Sequence, residues 1–286
     1  MRTPSLSRRA VIGLAAGACL GALASLAVRH RRVSTHTDDL LARLRTERGH
    51  VTANYNPDDL TGLPAPVGEY FETVLERGQR HVDGATLTQE GTFRLGGVES
   101  DWHPFAARQT YTVSPPGYVW DADIELAPYI SARVLDAYVD GEGRLRANLL
   151  GAIPVATAGP DPRMNEAELQ RYLSETPWFP TALLPAAGVT WEGIDDRTAE
   201  ATIADGDVTA TAVFHFDSPG QITRITADRY RQDTDEVGTW VGHYRAYERH
   251  DGMVVPTEAE VGWETADGEV PYWCGRITDI QYQGIA

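Results

Sequence analysis

Residues 118–126 read Tyr118-Val119-Trp120-Asp121-Ala122-Asp123-Ile124-Glu125-Leu126. Apolar side chains hold every even position, and carboxylates hold three of the four odd ones. Successive side chains of a strand point to opposite faces, so a period of two puts one face in a core and the other in water. Val119 is the one break in the pattern. Segments 83–95, 105–114, 133–139 and 144–153 behave likewise, and Asp140-Gly141-Glu142-Gly143 joins the last two as a hairpin turn. Seven more strand segments follow, near 188–194, 197–204, 207–216, 221–231, 238–249, 254–264 and 271–282, with turns such as Asp205-Gly206 and Asp251-Gly252 between them.

Two helices interrupt the strands. Val67, Tyr70, Phe71, Val74 and Leu75 make one apolar stripe and predict a helix over 66–77, closed by Gly78. Leu169, Tyr172 and Leu173 predict a second over 165–175, with Asn165 and Glu168 as its capping box. Between that helix and the later strands lies Pro177-Trp178-Phe179-Pro180-Thr181-Ala182-Leu183-Leu184-Pro185, an apolar loop bracketed by prolines. The expected fold is α+β and mostly β. Roughly twelve consecutive strands make one antiparallel sheet too large to stay flat. It curls into an open half-barrel, with two or three helices on its concave face. Trp120, Leu126, Leu145, Phe214 and Phe216 are expected to point inward.

Charge divides the chain. All 25 basic residues are Arg. Residues 1–48 carry nine of them against three acids, and residues 49–286 carry 16 against 38, so the head is +6 and the body −22. A body of that sign repels nucleic acid. The acid excess suits solubility or a salt-adapted surface. Two distant cysteines, Cys19 and Cys274, make neither a disulfide framework nor a zinc cluster.

The head reads as an address. Residues 10–28 form an uncharged run of 19, nearly the ~20 residues that span a bilayer. Arg8-Arg9 precedes it as in a twin-arginine export signal, and Ala22-Leu23-Ala24 offers a cleavage site. Three Arg lie before the run and six after it, through Arg48, a bias that opposes export. The expected division is an anchor or signal over 1–32, a linker over 33–62 and the half-barrel over 63–284. The body is membrane-anchored or exported, with the extracytoplasmic side favoured.

Leu63-Pro64-Ala65-Pro66-Val67, then Pro115-Pro116-Gly117-Tyr118-Val119-Trp120-Asp121-Ala122, then Trp178-Phe179-Pro180-Thr181-Ala182-Leu183-Leu184-Pro185 resemble the motifs of a widespread prokaryotic family of unknown function. Pro256-Thr257-Glu258 and Tyr272-Trp273 match its C-terminal end. The resemblance covers about 60–283. It implies no activity, and family members often carry an apolar N-terminal anchor. The order of elements is also similar to the periplasmic lipoprotein carriers, whose half-barrel and helical lid hold acyl chains. That likeness is one of topology, and fold alone does not assign function.

The residues offer little chemistry. The chain has no nucleophile elbow, His-Glu-x-x-His, Walker loop or dinucleotide fingerprint, so no cofactor or metal is expected. Asp121, Asp123 and Glu125 share one strand face, spaced about 7 Å apart, a distance open to acid–base work. The plainer reading is a solvent face paired with Arg such as Arg133. The leading functional expectation is a non-catalytic binding protein for an apolar or amphiphilic, lipid-like small molecule. Its pocket would be bounded by Tyr70, Trp120, Tyr172, Trp178, Phe179 and Leu183, with Arg171 and Glu175 at the polar head. The alternatives are a hydrolase or transferase using the acidic strand residues, and a scaffold in a membrane complex.

Overall fold

Strands of the expected alternation pair in sequence order, and the computed structural model shows how far that pairing extends. It describes the backbone of residues 8–46, 49, 53–218 and 220–285, and the side chains of Ser25 and of those residues from Ala27 onward. Six strands precede the central helix: β1 (Gly84–Arg94), β2 (Trp102–Thr112), β3 (Gly117–Ala127), β4 (Ile130–Val139), β5 (Glu142–Leu149) and β6 (Ile153–Ala158). Seven follow it: β7 (Thr190–Asp195), β8 (Thr198–Asp205), β9 (Val208–Phe216), β10 (Ile222–Arg231), β11 (Glu236–His250), β12 (Met253–Thr265) and β13 (Gly268–Gln283). All belong to one open antiparallel sheet, in the order β6-β5-β4-β3-β2-β1-β13-β12-β11-β10-β9-β8-β7. The expected segment 144–153 is two strands, because Leu150 and Gly151 take positive φ (53° and 62°) and turn the chain.

The two edges, β6 and β7, are joined by residues 159–189, which must therefore cross the concave face. That crossing is helix α3 (Pro162–Glu175) followed by three 3-10 turns through the proline-bracketed loop. α3 packs on β3, β4 and β5 on one wall and on β9 and β10 on the other. It starts earlier than expected. Asp161 is the N-cap, its side chain accepting from the amides of Arg163 and Met164. Asn165 and Glu168 form no capping box: Asn165 Oδ1 accepts from the Gly143 amide at 2.8 Å, and Glu168 is buried. Helix α2 (Ala65–Val74) covers β8 and β12 and ends before the expected 77, where Leu75 turns extended. Gly78 sits in the following turn, bonded to the Tyr55 carbonyl.

The inner face is a continuous apolar core that includes Trp120, Phe214 and Phe216, with Leu126 packed at its margin. The outer face explains Val119. Helix α1 (Arg8–Thr46) lays Leu40 and Leu44 on Val119, Leu135, Ala137 and Val139. Burying two leucines removes apolar surface worth ~1.5–3 kcal/mol each from water. The stretch 33–62 is accordingly no free linker. Its first part is helix packed on the sheet, Tyr55 is buried, and Asn54 bridges to Arg80. Arg8-Arg9, Cys19, the 22–24 cleavage site and most of the 10–28 run lie outside the residues whose side chains are described. Among the described residues, no helix is long and apolar enough to cross a membrane.

Candidate functional site

α3 turns a polar stripe to the sheet. Glu168, Arg171 and Glu175 recur at helical spacing on the face turned to the inward rows, where they meet Arg229, Asp136 and Gln109 in turn. Arg171 donates to Glu175 Oε1 at 2.9 Å and to Asp136 Oδ2 at 2.5 Å, and its guanidinium lies 5.0 Å from the centre of the Trp120 ring. Glu175 Oε2 accepts from Gln109 Nε2 at 2.7 Å and from the Tyr111 hydroxyl at 2.9 Å. Gln109 accepts from Gln89, and Gln89 accepts from Trp120 Nε1 at 2.8 Å. Glu168 accepts from the Tyr118 hydroxyl and pairs with Arg229. The expected ion pair of Arg171 and Glu175 is thus real, but it lies inside the protein.

Electrostatics follow from that burial. Ionised throughout, the cluster would hold three carboxylates against two guanidiniums. Burial pushes the Asp136 carboxyl up to about 7; the pull of Arg171 opposes the rise and Glu168 adds to it. The Tyr111 and Tyr118 phenols are raised well above their ordinary range, by burial and by the carboxylates they face. Burial acts against the charge of Arg171, but Glu175, Tyr118, Asp136 and Glu168 outweigh it and keep the guanidinium protonated.

Beside this cluster lies a cavity of about 220 Å³. Phe93, Trp120, Trp240, Trp263 and Tyr272 form its apolar wall, Asp136, Arg171 and Glu175 its polar one, and the β10–β11 turn through Gln232 and Asp233 its rim. Two buried polar atoms on residues of this wall have no protein partner: Asp136 Oδ1 and Trp178 Nε1. Of the expected pocket, the structure brings together Trp120, Arg171, Glu175 and Trp178. Tyr70, Tyr172, Phe179 and Leu183 are buried in the core and do not line this cavity. Tyr172 lies one residue, hence about 100° of helix, beyond Arg171 and faces Tyr111 and Phe179 instead. Tyr70 is held against Phe71 and Phe216 by α2.

Asp136, Glu168, Arg229 and every ring of the aromatic wall but Trp120 were not among the expected site residues. The signal was present as polar interruptions of inward rows: Gln89 after Leu87, Gln109 before Tyr111, Asp136 between Val134 and Tyr138, Arg229 after Ala227.

The acidic strand face is outward. Arg133 grips Asp121 with two bonds, 2.8 and 2.7 Å, and also donates to Ser34 on α1. Glu258 pairs with Arg245 at 2.9 Å. Among the described residues no group of three His, Cys, Asp or Glu side chains converges on a possible metal position.

An open antiparallel half-barrel, crossed by one helix that lids a small aromatic cavity, is the class of protein that fold and site define. The chain belongs to DUF6920, a family of unknown function whose sequence profile matches residues 61–282. No curated protein matches it. Among solved structures it is similar to a LolA superfamily protein from Nitrosomonas europaea, at 13% identity and a TM-score of 0.39, over 77% of this chain and 94% of that one.

Proposed function

We propose that this protein binds an apolar or amphiphilic small molecule between its sheet and α3, without catalysis, while its N-terminal segment anchors it in a membrane or exports it. The observation that carries the reading is the cavity with its two unpaired polar atoms. A buried donor or acceptor without a partner costs about 1–3 kcal/mol. A ligand that offers a donor to Asp136 Oδ1 and an acceptor to Trp178 Nε1 would recover much of that cost. The aromatic wall supplies the apolar attraction.

Size sharpens the ligand class. A cavity of ~150 Å³ holds benzene, and drug-sized ligands occupy ~300–1,000 Å³. A space of about 220 Å³ fits one ring, or the first part of a lipid whose remainder passes the rim at Gln232 and Asp233. It does not fit a whole acyl chain.

The test is extraction of purified protein into organic solvent with mass spectrometry, and titration with N-phenyl-1-naphthylamine. Saturable binding is expected, and Ala259→Phe, which fills the cavity, should abolish it while the fold is retained. If no small molecule co-purifies and neither the parent nor the filled variant binds the probe, the space is a packing void and the reading fails.

A further inference from the structure

We propose that the tips of the three hairpins β1–β2, β3–β4 and β5–β6 are the surface by which the body rests on a lipid bilayer, beside the point where α1 enters it. The proposal builds on the membrane attachment read from 10–28, but not on the cavity holding a ligand.

The path of α1 sets the geometry. Near its C-terminal end Arg43 pairs with Asp140, in the β4–β5 turn. Midway, Ser34 and Thr37 accept from Arg133 at 3.0 and 3.4 Å. Further back, His30 abuts Gly151, where an added Cβ would lie 2.8 Å from the ring. Gly151 is in the β5–β6 tip. Read from Arg43 to His30, α1 therefore runs along the outer face toward the tips, and its backbone continues as helix to Arg8. Nineteen residues at 1.5 Å rise extend about 28 Å, close to the ~30 Å hydrocarbon thickness of a bilayer.

The tips match that placement in composition. Ten large apolar side chains are exposed among the described residues; seven lie on these three hairpins and an eighth, Val28, on α1. Tyr129 is fully exposed, Val155 is 60% exposed and Val98 54%. In a body of charge −22, residues 126–132 and 147–158 carry no charge at all. These two uncharged tips are neighbours in the sheet order. Arg29, Arg31 and Arg32, all exposed, ring α1 just after the uncharged run ends. Apolar loops and an interfacial Tyr suit the headgroup boundary, and the arginines suit anionic lipid. At the β3–β4 and β5–β6 tips the absence of charge removes the repulsion that the rest of the body would meet, while the β1–β2 tip, with Glu99 and Asp101, contributes Leu95 and Val98. A patch of this kind on a protein surface marks an interaction site, and the emerging helix identifies the bilayer as its occupant.

The test uses the full chain in vesicles of phosphatidylcholine and phosphatidylglycerol. Single cysteines replace Val98, Tyr129 or Val155, with Val237 and Ile194 as exposed apolar controls elsewhere, each labelled with an environment-sensitive fluorophore after Cys19 and Cys274 are changed to Ala. The tip labels should shift to the blue and be quenched several-fold more by nitroxide lipid than the controls. Tyr129→Asp with Val155→Asp should reduce quenching at position 98 while the protein still floats with vesicles and still binds N-phenyl-1-naphthylamine. Protein that floats with tip labels as wet as the controls overturns the docking surface alone. Protein that does not float overturns the attachment as well. Tip labels shielded equally in detergent, in proportion to protein concentration, would instead show two copies pairing through the tips and would also overturn the proposal.

Discussion

Replacing Arg171 by Met removes the guanidinium from a cluster that already carries one more carboxyl than it has cations. Asp136 loses its 2.5 Å partner and Glu175 its 2.9 Å one. Breaking a buried pair from one side costs about 3–5 kcal/mol, because a charge is left uncompensated. For a slope near ~3 kcal/mol per molar, that is a fall in urea midpoint of about 1 M or more. Neutralising the orphans should restore much of the loss. In the triple variant with Asp136→Asn and Glu175→Gln, one amide oxygen at 175 can still accept from both Gln109 and Tyr111, which now share Oε2. The assay is urea unfolding followed by tryptophan fluorescence, with an unchanged slope as the check that only stability moved. The triple variant should recover at least half of the single variant's loss. A single variant within about 1 kcal/mol of the parent, or a triple variant no better than the single, would refute the reasoning that burial makes the charge balance matter.

Asp136 makes stability depend on pH. Its folded-state pKa is raised from 3.8 to about 7, so its contribution is fully present below about pH 4 and is lost as pH rises through about 7. Unfolding midpoints at pH 5.5 and 8 should therefore differ in favour of the lower pH, and Asp136→Asn should flatten that difference. Trp120→Ala should cost about 3–5 kcal/mol, since the ring is buried and its Nε1 is bonded to Gln89; calorimetry or urea unfolding reads this directly. Leu40→Ala with Leu44→Ala should free the C-terminal part of α1 from the outer face. Hydrogen exchange at Val119 and Leu135 should then rise, while N-phenyl-1-naphthylamine binding stays unchanged.

The sheet was legible because its signal is local. A period of two needs only neighbouring residues, and turns such as Asp205-Gly206 mark themselves. The second layer was also written, in Val119, but a single apolar residue on a wet face shows its meaning only once Leu40 and Leu44 are seen above it. The site was half legible. Arg171 and Glu175 announce a pair by spacing, yet whether a pair lies in water or in the core depends on what the helix crosses. That crossing is dictated by β6 and β7 being the two edges of one sheet, a fact of pairing between residues far apart in sequence. Tyr70, Phe179 and Leu183 lie outside the cavity lining for the same reason. Their stripes point inward as expected, but periodicity cannot distinguish a filled interior from a gap.

The seam between β1 and β13 joins residues 84–94 to 268–283. Every other pairing in the sheet is between consecutive strands, so each meander can assemble hairpin by hairpin as the chain emerges during synthesis. β1 cannot be completed in that way. Its second edge stays open until β13 leaves the ribosome, exposing unpaired amides and carbonyls while β2 to β12 are made. The N-terminal meander is then a half-sheet waiting for a partner. Chains that stop short of residue 268 would retain it with a templating edge, prone to pair with another nascent copy. The sixteen residues of β13 thus complete the half-barrel and also remove the edge most open to misassembly.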